Sequence, residues 1–63
     1  MSDDFVTLTA SGKDKYGDTV YATMTCSQLS YKLHSSAQVR VVQSWLVEDH
    51  PSVTDILVEV TGL

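Results

Sequence analysis

The chain has 63 residues, eight of them acidic against four basic, for a formal net charge of −4. That length holds one domain at most, and such a domain buries only about 60% of the surface its unfolded chain exposes. The acidic balance excludes a phosphate-binding footprint for nucleic acid, which needs clustered Lys and Arg, and suits a basic protein partner or simple solubility.

Scaffolds this small draw stability from a disulfide, a metal or a second subunit. Cys26 is the only cysteine, so no intrachain disulfide forms. With His34 and His50 it makes no zinc-ligand spacing. Self-association is the stabiliser left, and no metal or cofactor is expected.

The start, "MSDDFV", carries acids where a secretory signal has a positive segment. No run reaches the ~18 apolar residues of a membrane span. The expected compartment is a reducing cytoplasm, with no membrane contact. Residues Met1 to Asp4 read as a frayed acidic lead-in. From Phe5 the pattern has period two. Val6, Leu8 and Ala10 alternate with Thr7, Thr9 and Ser11, which predicts a strand. "SGKDKYGD" packs two glycines and two aspartates into eight residues, which is turn chemistry. A second strand follows from Thr19 to Thr25 or Cys26, with Val20, Ala22 and Met24 on its core side. The two runs form an antiparallel hairpin.

"CSQLSYKLHSS" is open to two readings. Leu29, Tyr31 and Leu33 alternate as in a strand, while Leu29 and Leu33 also sit one helical turn apart. We favour a loop with a helical turn, with Ser27 as its cap. From Ser36 a helix is predicted, capped by Ser35 or Ser36. Pro51 ends it, since the residue before proline is pushed out of helical geometry. "QVRVV" is β-branched enough to suit a strand, but its length and the proline stop favour a helix. Val53 to Thr61 is the last strand. Thr54, Ile56, Val58 and Val60 form its apolar face, and Asp55, Leu57 and Glu59 the other.

The expected fold is therefore α+β: strand-strand-helix-strand, a three-stranded antiparallel or mixed sheet with the helix on one face. On the helix, Ala37, Val39, Val41, Val42, Trp45 and Leu46 span an arc of about 200°, twice the roughly 100° stripe that a sheet face needs. That excess predicts a homodimer contact.

No nucleophile–base spacing and no glycine-rich phosphate loop is present, so an enzyme is not expected. His34 and His50 fall near the two ends of the helix, too far apart for one site. Glu48 and Asp49 end the helix, where acids oppose the macrodipole. Charge that is locally unfavourable sometimes marks function.

The arrangement resembles the small phage-encoded inhibitors of uracil-DNA glycosylase, which form strand-strand-helix-strand dimers. The features that carry the likeness are "DDFV" near the start, "VTL" in the first strand and the polar turn "KDKYGD". The tyrosine-bearing second strand and "VTDILVEV" after the helix complete it. Extra residues around "SYKLHSSAQ" depart from the family pattern.

The resemblance implies a protein that copies the charge of duplex DNA and fills the enzyme's DNA-binding groove in the cytoplasm of a bacterial host. The paired helices of such inhibitors line an apolar cleft that takes in the leucine the enzyme pushes into DNA. Here Val42, Trp45 and Leu46 would line the cleft, and Glu48 and Asp49 would stand in for phosphates. The partner is then the glycosylase, with no direct nucleic-acid contact. The alternative is an acidic dimeric structural or adaptor protein, or an inhibitor of another host defence protein.

Overall fold

A computed structural model describes residues 4–62. The elements run β1 (Phe5–Lys13), β2 (Thr19–Ser27), α1 (Gln28–Asp49) and β3 (Thr54–Thr61). The fold is α+β in the expected order. The three strands form one antiparallel sheet in the order β2-β1-β3, so the first strand is central and the other two are edges.

The alternation in β1 sets the core. Val6, Leu8 and Ala10 all point to one face and are fully buried, and Val42 and Leu46 of the helix close over them. Val20, Ala22, Met24 and Cys26 of β2 and Ile56, Val58 and Val60 of β3 pack around this centre, half-buried. The helix lies across β1 and β2 and only grazes β3. The outer face of the sheet has no layer over it. It presents threonines such as Thr7, Thr9, Thr23 and Thr25, with Tyr21 and Leu57 exposed.

The hairpin turn is built as its composition suggests. The Asp14 carboxylate accepts from the backbone N–H of Tyr16 (2.8 Å) and of Asp18 (2.9 Å). Gly17 follows at φ +83°, a conformation that costs glycine little. The β1–β2 ladder is in register without a break from Phe5↔Ser27 to Lys13↔Thr19. The β1–β3 ladder is not. It shifts between Ser11 and Lys13, and Asp55 on β3 takes φ +56°. Asp is among the few non-glycine residues that tolerate this region. The irregularity leaves Thr54 exposed, although the alternation put it on the core face. Gly12 sits at the same spot because the chain crosses it closely. A Cβ there would lie 2.5 Å from Val53 Cγ2 and 2.8 Å from the Thr54 carbonyl.

The helix differs most from expectation. It starts at Gln28, eight residues before Ser36, directly after β2. Ser27 is the cap: its hydroxyl accepts from the Ser30 N–H at 3.0 Å. Residues 28–33 are thus helical rather than loop. Within the helix His34 leaves helical geometry (φ −136°, ψ 41°), which kinks it one residue before the expected caps. The Gln38 side-chain amide donates to the Ser30 hydroxyl at 2.7 Å and bridges the kink. His50 ends the helix, with its N–H donating to the Leu46 carbonyl at 2.9 Å. Of the expected frayed start, Met1 to Asp3 lie outside the described residues. Asp4 is held, its carbonyl accepting from the Gln28 N–H at 2.7 Å.

Candidate functional site

The second half of α1 has three distinct sides. At 100° per residue, Val39, Val42 and Leu46 point together at the sheet. One flank faces β3: Arg40, Gln43, Ser44 and Val47 line an open groove of about 540 Å³ with Ile56, and Glu48, turned outward between this flank and the other, borders it. The opposite flank therefore overhangs β2. By the same rotation it carries Val41, Trp45 and Asp49.

These positions separate the five residues expected to meet a partner. Val42 and Leu46 are fully buried against β1. They form the core of the protomer and have no surface left for a second protein. Trp45 is different, with 46% of its surface exposed, and Glu48 and Asp49 are both exposed. Glu48 and Asp49 follow Trp45 by three and four residues, the spacing that makes helix side chains neighbours. One aromatic side chain and two carboxylates thus share one patch at the end of the helix.

The patch is acidic for no reason of helix stability. The last turn contains no basic residue, and two carboxylates there face the negative end of the macrodipole. Glu59 of the last strand does not join the patch. With Leu57 it alternates with the core-facing Ile56 and Val58, so the sheet separates it from the helix.

Two features of this surface escaped the sequence. Val41 belonged to the wide apolar arc without being assigned to either of its sides, and it is exposed beside Trp45, at 39%. Leu29 and Leu33, each 67% exposed, extend the apolar surface of the helix beyond the kink. Their one-turn spacing was visible, but the early helix start that exposes them was not.

Among the described residues no three His, Cys, Asp or Glu side chains converge on a point that would hold a metal ion. Cys26 is a half-buried free thiol packed against the core. No described helix is long and apolar enough to cross a membrane. No protein-family model, no curated protein and no solved structure matches the chain.

Proposed function

We propose that the chain is a protein inhibitor that acts as a homodimer and covers the DNA-binding groove of uracil-DNA glycosylase by imitating DNA. The observation that carries this reading is the patch of Trp45, Glu48 and Asp49: a half-exposed aromatic anchor beside two carboxylates on one helical surface. A groove that binds phosphates is basic, and carboxylates at the right places satisfy it as phosphates do. Glycosylases work on bases extruded from the duplex, so a plug in the groove stops catalysis without any chemistry of its own.

The fold changes which residues form the apolar wall. With Val42 and Leu46 committed to the core, Val41 and Trp45 take the role of receiving an apolar side chain from the enzyme. Carboxylates act at long range and speed encounter. Buried aromatic anchors set how long a complex lasts. The two groups of residues therefore separate kinetically.

Stopped-flow binding to a purified uracil-DNA glycosylase over a salt series tests this. Glu48→Gln with Asp49→Asn lowers the association rate and flattens its salt dependence. Trp45→Gln raises the dissociation rate by tenfold or more (about 1.4 kcal/mol), with circular dichroism confirming the fold. Absence of binding at any salt removes the glycosylase as target. Tight binding that ignores salt removes phosphate mimicry.

A further inference from the structure

The groove beside β3 is charged at its two ends and apolar between them. The helix covers β1 and β2 and only grazes β3, so the inner face of the last strand has a helix along one side only. Half-buried Ile56 forms the floor there, and Val47, 42% exposed, forms the wall. Arg40 stands at one end, with Gln43 and Ser44 three and four residues on. That spacing makes a guanidinium, an amide and a hydroxyl neighbours on the helix surface. Glu48 borders the other end. Eight residues at 1.5 Å each separate the two charges by about 12 Å along the helix.

Neither charge is used within the protomer. No Asp, Glu, Lys or Arg other than Arg40 lies between Lys32 and Glu48. The helical neighbours of Arg40, namely Ser36, Ala37, Gln43 and Ser44, therefore offer it no carboxylate. Among the described residues, neither Arg40 nor Glu48 makes an ion pair or a hydrogen bond through its side chain. The macrodipole does not account for them, since Glu48 faces its negative end and Arg40 lies mid-helix.

We propose that the groove binds an extended peptide segment of a partner protein, with an acidic and a basic side chain four residues apart and an apolar one midway. An extended chain rises about 3.3 Å per residue, so about four residues span the groove, and side chains at i, i+2 and i+4 point the same way. The acid meets Arg40, Gln43 and Ser44. The apolar side chain rests on Ile56 and Val47, and the base meets Glu48. Other occupants fit less well. A small molecule needs most of its surface enclosed, which an open groove does not supply. Nucleic acid would bring phosphates up to Glu48. A strand added to the edge of β3 would meet the register shift and the positive φ at Asp55. The groove lies on the flank away from Trp45, so the inference goes beyond the function proposed above and shares only Glu48 with it.

Amide NMR titration of the labelled full chain tests this without any glycosylase. The probes are capped seven-residue serine peptides carrying Glu, Leu and Lys at alternate positions, in that order or reversed. Controls carry two Glu or two Lys around the same Leu. A mixed-charge peptide shifts the amides of Arg40, Gln43, Ser44, Val47 and Ile56 at millimolar concentration, and binds at least threefold tighter than either control. Arg40→Glu moves the preference to the peptide with two Lys, and Glu48→Lys to the one with two Glu. Both substitutions change exposed side chains, and circular dichroism checks the fold. The wild-type comparison needs no variant to fold. Controls that bind as well as the mixed peptides overturn the inference, as do groove amides that none of the mixed peptides shifts. Shifts confined to the Trp45 flank overturn it too. Groove amides that move on dilution of the protein alone would show a second copy in the groove, and would also overturn it.

Discussion

At the scale of single residues, the proposed function makes stability and binding respond in opposite directions at Glu48 and Asp49. Both are exposed in the last turn of α1, where the negative end of the helix repels them. Each such charge costs a few tenths to about 1 kcal/mol at low ionic strength. Glu48→Gln with Asp49→Asn therefore raises the melting temperature by a few degrees in low salt, and the gain shrinks as salt is added. The same variant slows association with a basic groove. A thermal melt beside the stopped-flow series checks the pair. A melting point that falls would show that these carboxylates hold the fold together. Val42 and Leu46 illustrate the converse. Truncating fully buried residues costs about 2–5 kcal/mol for a Leu, out of roughly 3–9 kcal/mol for a domain of this size. Loss of binding in Leu46→Ala would thus report unfolding and say nothing of an interface.

At the scale of elements, the strands were legible and half of the helix was not. β1 and β2 announce themselves by strict alternation, and the turn between them by Asp14 and Gly17. The start of α1 is obscured because Leu29, Tyr31 and Leu33 satisfy a period of two and a period near four at once. What decides is Ser27, whose hydroxyl closes the first turn immediately after the strand. Ser35 and Ser36, the expected caps, follow the non-helical His34, where the second of two helical segments begins. The site was misread for a related reason. A helical wheel shows which residues are apolar but not how the helix rolls on the sheet, so Trp45 was grouped with Val42 and Leu46 and Val41 was left out. Two serine variants separate the readings. Ser27→Ala loses a cap worth about 1 kcal/mol and lowers the melting temperature by about 4–8 °C. Ser36→Ala, an exposed helix-interior change, is neutral or slightly stabilising. The opposite ranking in thermal melts would place the true start of the helix at Ser36.

At the scale of the whole molecule, the protomer is long for its mass. Its extents are 42 × 18 × 15 Å and its Cα radius of gyration is 12.4 Å, against about 10.6 Å for a compact chain of this length. An elongated body with a small core leaves much of its apolar side-chain surface on the outside, Leu29, Leu33 and Leu57 among it. The far end of the sheet holds a different opportunity. Gln28 ties both ends of the described chain together, its N–H donating to the Asp4 carbonyl and its side-chain amide donating to the Gly62 carbonyl at 2.8 Å. Gly62 sits so close that a Cβ on it would lie 2.7 Å from the Phe5 carbonyl. The fold is therefore nearly a closed loop, open at Gln28. Joining Gly62 to Asp4 through a few Gly and Ser residues, and opening the chain between Tyr16 and Gly17 in the exposed turn, gives a circular permutant with the order β2-α1-β3-β1. It keeps every strand pairing and exchanges the β1–β2 hairpin for a β3–β1 hairpin, so the balance of local and distant contacts is little changed and it reaches the same structure at a similar rate. An amide NMR spectrum that overlays the parent everywhere except at the new join and the new ends is the expected result, and a permutant that stays unfolded would show that the covalent β1–β2 turn is required.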